Sequence, residues 1–74
     1  MSGEFIIFCY HVKALRSKHQ LSQKQMSRIM GISVKSLSTL EAGMMPPRLR
    51  VTVIFRLSEH FHLEPRQLFM PDEL

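Results

Sequence analysis

Cysteine is all but missing from this sequence, where Cys9 stands alone. A lone thiol closes no internal disulfide, so the chain needs no oxidising compartment and a cytoplasmic setting is expected. Cys9 lies in the apolar run FIIFCY, with no local feature to lower its pKa, and is read as packing rather than as a nucleophile. Long hydrophobic runs are also lacking. FIIFCY is too short to span a membrane and has no basic residue before it, as a signal peptide would. Three glycines and four prolines are too few for a linker or a collagen-like chain. There is no cysteine pair with zinc spacing, no glycine-rich phosphate loop and no motif that positions a nucleophile. His60 and His62 are two apart, a spacing that does not share a helix face. The expectation is therefore no metal, no cofactor and no enzymatic activity, with no membrane and no small-molecule effector among the partners.

Acidic residues are scarce where it matters most. Between His11 and Arg50 a single acid, Glu41, faces eight bases: Lys13, Arg16, Lys18, Lys24, Arg28, Lys35, Arg48 and Arg50. After Val51 the balance reverses, with Arg56 and Arg66 against Glu59, Glu64, Asp72 and Glu73. The net charge of +4 is thus gathered in the middle of the chain, which suits a polyanionic partner.

What is present is helical periodicity. At 74 residues the chain is expected to be one domain, 1–74. Phe5, Phe8, Cys9, Val12 and Leu15 recur at spacings of three and four and predict a helix over 5–18. Ser22, with Gln25 three residues on, forms a capping-box signature for a helix over 22–30. Met26, Ile29 and Met30 are its apolar face, and Gly31 ends it. Ser33 caps a helix over 33–42, with Leu37 and Leu40 inward and Gly43 at its end. Two short helices across a glycine-containing turn make a helix-turn-helix. After Met44-Met45-Pro46-Pro47, a fourth helix is predicted over 48–61, with Val51, Ile54, Phe55, Leu57, Ser58 and Phe61 supporting it and Pro47 able to start it. Pro65 opens a fifth over 64–70, in which Leu68 and Phe69 turn inward.

The segment LSQKQMSRIMGISVKSLSTLEAG resembles the helix-turn-helix of the Cro and phage-repressor type, the Xre-like family. Leu21-Ser22-Gln23 is similar to the family's opening of the first motif helix, and Gly31-Ile32-Ser33 to its turn. Leu37, Leu40, Glu41 and Gly43 match its recognition-helix pattern, and the likeness runs over roughly 9–70. It implies an all-α, five-helix, lambda-repressor-like DNA-binding domain with its helix-turn-helix at about 22–42. The loop after Gly43 is longer than the family's, and the reading positions lack its usual Gln or Arg.

The resemblance also implies roles. Val34, Lys35, Ser38 and Thr39 fall on the face that meets base edges of double-stranded DNA in the major groove. Ser22, Gln23, Ser33, Ser36 and Arg48 fall where phosphates are held, with Arg48 at the start of the fourth helix. Arg16 and Glu41 occupy the positions of an ion pair that fixes the angle of the reading helix. Phe5, Ile6, Ile7 and Tyr10 exceed the needs of one apolar stripe. They either fold against the last helix or form a homodimer or partner surface. The expected function is a sequence-specific transcriptional regulator, dimeric on a palindromic operator, bacterial or phage-type and nucleoid-associated when bound. The alternative is a protein-interaction module on the same scaffold, such as an antitoxin-like subunit or an adaptor.

Overall fold

Helix α1 spans Gly3–Lys18, α2 Gln23–Met30, α3 Val34–Glu41 and α4 Thr52–Phe61, followed by a 3-10 helix at Pro65–Phe69. These bounds come from a computed structural model, which describes residues 3–74. The expected domain 1–74 thus includes two residues, 1 and 2, outside the described ones. There is no strand among the described residues. The chain is all-α, with four α-helices among the described residues rather than five. The fifth element is a single 3-10 turn because Pro65 opens it and Met70 leaves it in extended geometry (φ −101°, ψ 146°).

Local chemistry explains each boundary. Ser22 accepts from the Gln25 N–H at 3.1 Å while Gln25 Oε1 accepts from the Ser22 N–H at 2.8 Å. Two otherwise unpaired donors at the start of α2 are thereby satisfied. Gly31 (φ +73°) closes α2: its N–H donates to Arg28 O and the Ile32 N–H to Ser27 O. Gly43 (φ +84°) closes α3 in the same way, with bonds from Gly43 to Leu40 O and from Met44 to Thr39 O. α1 ends on the same bond pattern with Gln20 (φ 56°) in the left-handed position, whereas α4 places His62 (φ 57°) there and both the His62 and Leu63 N–H groups donate to Ser58 O.

α4 starts at Thr52 rather than 48. Arg48 has φ 62°, outside the right-handed helical region, and the first turn bonds run from Val53 N–H to Arg50 O and from Ile54 N–H to Val51 O. Pro46 is fully buried, and Pro47 starts no helix. The apolar face keeps the expected Ile54, Leu57 and Phe61 and differs at its edges. Val53 and Leu57 are buried, whereas Val51 and Phe55, expected to support the helix from within, are 63% and 58% exposed.

One core takes a side chain from every element: Phe8, Cys9, Val12 and Leu15 from α1, Met26 and Met30 from α2, Leu37 and Leu40 from α3, Val53 and Leu57 from α4, and Leu68. Each fully buried Leu or Met contributes about 1.5–3 kcal/mol relative to exposure. The last turn lies on α1. Phe8 and Phe69 stack with ring centroids 5.3 Å apart, and the buried His11 places Nε2 2.6 Å from Met70 O. A carbonyl only accepts, so Nε2 carries the proton in that contact. Nothing in the spacing of α1 singled out His11, whose burial depends on a residue 59 positions away.

Candidate nucleic-acid interface

Leu37 and Leu40 are wholly buried and fix the rotation of α3 about its own axis. At about 100° per residue, Val34, Ser38, Lys35 and Thr39 then cover an arc of about 140° on the opposite side. Val34 is 42% exposed. Lys35 and Ser38 are exposed and Thr39 is half-buried. The Thr39 hydroxyl donates to Lys35 O at 3.0 Å, which commits its proton to the backbone.

Both ends of this helix are tied down. At its start Ser33 Oγ accepts from the Ser36 N–H at 3.0 Å and donates to Ser36 Oγ at 3.0 Å. At its end the Glu41 carboxylate accepts from Arg16 Nε at 2.7 Å, Arg16 Nη2 at 3.0 Å and Gln23 Nε2 at 3.3 Å. Arg16 also donates through Nη1 to Leu21 O at 3.1 Å. Only 6% of the Glu41 side chain is exposed, against 20% for Arg16. The hydrogen bond that Arg16 donates to Glu41 is the main cause that raises the Arg16 pKa above its ordinary value, so the guanidinium stays charged. α1, the start of α2 and the end of α3 therefore meet at one carboxylate. Gln23 reaches it from the first residue of α2.

Of the residues matched to phosphate-holding positions, Ser22 and Ser33 are exposed cap residues, while Gln23 and Ser36 are half-buried. Arg48 is exposed, but it sits in the turn before α4 rather than at its start. There it lines an open polar cleft of about 520 Å³ between the α2–α3 turn and the beginning of α4. Ser33, Ser36, Thr52, Arg50 and Arg56 line the same cleft, and no acid does. Arg50 and Arg56 had no assigned role in the sequence. A surface arginine carries no periodic signal, so only the fold brings these two beside Ser33.

The residues expected to form a partner surface divide. Phe5 and Ile7 are half-buried, Phe5 packing against the core. Ile6 and Tyr10, one helical turn apart, are 49% and 62% exposed. Met44, Met45, Val51 and Phe55 are exposed as well. A cleft of about 210 Å³ is lined by Phe5, Phe8, Met45, Leu49, Arg50, Val51, Val53, Ile54 and Phe69.

A family model described as helix-turn-helix matches residues 12–68, which span α2, α3, α4 and the C-terminal part of α1. The chain belongs to that family. It is the Cro and phage-repressor type of helix-turn-helix, a DNA-binding domain typical of transcriptional regulators. No curated protein and no solved structure matches the chain. Among the described residues of this helix-turn-helix domain, no three His, Cys, Asp or Glu side chains converge as a metal site. No helix among them is long and apolar enough to cross a membrane.

Proposed function

We propose that the chain is a sequence-specific DNA-binding transcriptional regulator whose α3 enters the major groove of double-stranded DNA. The observation that carries this reading is the outward arc of Val34, Lys35, Ser38 and Thr39, set opposite two fully buried leucines. Lys35 is its only long polar side chain and suits guanine O6 and N7. Val34 and the Thr39 methyl suit a thymine methyl. Ser22, Gln23, Ser33, Ser36 and Arg48 position the domain on the phosphates. Such a sparse set of base contacts leaves part of the discrimination to DNA shape.

A dimer on a palindromic operator would place two reading helices about 34 Å apart. The exposed pair Ile6 and Tyr10, with Met45, Val51 and Phe55, supplies the apolar area that self-association uses. The same exposure favours the second reading, a protein-interaction module, in which these residues meet a different protein.

Titration of duplex DNA at several salt concentrations tests the proposal. Binding is expected to weaken linearly on a log–log plot as counterion release is suppressed. A selected duplex should bind more tightly than its scrambled counterpart. Absence of binding at low salt would sink the proposal in favour of the interaction module. Sedimentation over a range of protein concentrations tests the dimer; a free mass that stays at 8.7 kDa together with one chain per palindromic duplex refutes it.

A further inference from the structure

We infer that Arg56 is a positioning residue for DNA recognition: from α4 it clamps the α2–α3 turn and so fixes the pitch of the half of α3 that meets the bases. The inference rests on the reading of α3 as the base-contacting helix.

Arg56 stands on a firm base, since Val53 and Leu57 beside it on α4 are buried in the core. From there its Nε donates to Ile29 O at 3.0 Å and its Nη2 to Arg28 O at 3.3 Å. These carbonyls belong to the last turn of α2, where intrahelical donors run out and a cation also complements the helix dipole. The guanidinium covers Gly31 as well. A Cβ on Gly31 would lie 2.8 Å from Arg56 Nε and 3.0 Å from its Cζ. Gly31 takes a left-handed φ, and a side chain there would also push the Arg56 guanidinium aside.

Two residues further on, Ser33 caps α3. The point where the chain turns into the reading helix is therefore held from α4. The far end of α3 is held from α1 and α2 through Arg16, Gln23 and Glu41. Eight residues make α3 about 12 Å long, so pivoting it by about 10° about the Glu41 anchor moves its first residues by about 2 Å. That displacement exceeds the tolerance of a hydrogen bond to a base edge. Binding to phosphates is far less demanding, because it tracks charge.

Lysine at position 56 keeps the charge but lacks the planar fork that reaches two carbonyls at once. Arg56→Lys is therefore the informative variant, with Arg56→Gln as its partner. The duplex is one selected by the wild-type chain from a random library, together with its single-base variants. For Arg56→Lys the salt slope on non-specific duplex should be unchanged. Discrimination between selected and altered duplexes should fall by at least about fivefold, equivalent to about 1 kcal/mol. In the free protein, the amides of residues 31–36 should shift and exchange faster with solvent while those of α1 stay in place.

Retained discrimination by Arg56→Lys overturns the inference, whatever its amides do. So does a salt slope that drops by about one in Arg56→Gln with discrimination intact, since that marks a phosphate ligand. Should the wild-type chain show no sequence preference, the reading of α3 fails, and the amides alone decide the clamp: changed at 31–36 supports it, unchanged refutes it. Should Arg56→Gln fail to fold, the discrimination of Arg56→Lys decides alone: lost supports the clamp, retained overturns it.

Discussion

Removing either partner of the ion pair between Arg16 and Glu41 should cost stability, and the two costs should differ. The Glu41 side chain is 6% exposed and that of Arg16 20% exposed. Arg16→Met strips the carboxylate of its two short charge-assisted bonds, at 2.7 and 3.0 Å, and leaves only Gln23 at 3.3 Å. An almost buried carboxylate left in that state costs about 3–5 kcal/mol. Glu41→Gln instead leaves a guanidinium that still donates to Leu21 O and reaches water over a fifth of its surface. Its cost should be smaller, about 2–3 kcal/mol. A domain of this length has about 4–11 kcal/mol in all, and each kcal/mol shifts Tm by about 4–8 °C. Arg16→Met is thus expected to lower Tm by roughly 12–40 °C, near the limit of folding. Urea unfolding followed by circular dichroism at neutral pH measures both variants, with the m-value checked for constancy. The double variant Arg16→Met, Glu41→Leu removes both charges and should recover much of the loss. A cost below about 1 kcal/mol for Arg16→Met would place the pair among solvent-screened surface bridges and refute the reasoning. So would a larger cost for Glu41→Gln than for Arg16→Met.

Four further outcomes follow from the same geometry. Lys35→Ala should relax base preference by about 1–3 kcal/mol, whereas Arg48→Ala should weaken all duplexes alike; identical profiles over a site library would refute the division of roles. Cys9 is 4% exposed, and burial pushes its thiol above the ordinary 9.0. Its alkylation in the folded chain should therefore run at least about a hundredfold slower than in urea, because it waits on opening. The unfolded thiol ionises first, so stability should be complete below pH 9.0 and fall as pH rises through the folded-state pKa; Cys9→Ala should lose that fall, and a variant that keeps it assigns the effect elsewhere. Gly43→Ala meets no atom within 4 Å and should cost only the left-handed strain, about 1 kcal/mol, while Gly31→Ala should cost more because it also displaces Arg56; His62→Gly should stabilise by up to about 1 kcal/mol, and thermal melts of all three decide.

Much of the helix-turn-helix was legible because its signals are local. The caps Ser22 and Ser33, and the glycines at 31 and 43, act within a few residues of where they stand. The leucines at 37 and 40 show which side of α3 is hidden by spacing alone. Legibility ended at the loop. Two prolines marked it but did not say where α4 resumes, and a non-glycine residue at positive φ, Arg48, gives no warning in sequence. The inward face of α4 was legible in part: Ile54, Leu57 and Phe61 pack on the core as expected, whereas Val51 and Phe55 are exposed and Val53, passed over, is buried.

The amino-acid sequence by itself determined the all-α class, the two motif helices and their turn, and the family to which the chain belongs. Periodicity, caps and glycines encode these within one or two helical turns, and no distant residue is needed to read them. Tertiary structure alone decided that Arg56 covers Gly31, that Arg48 and Arg50 share a cleft with Ser33, and that His11 is buried against Met70. Each of these contacts joins residues far apart in the chain. Which surface groups meet is set by how the helices pack on the shared core, a relation that no single segment contains.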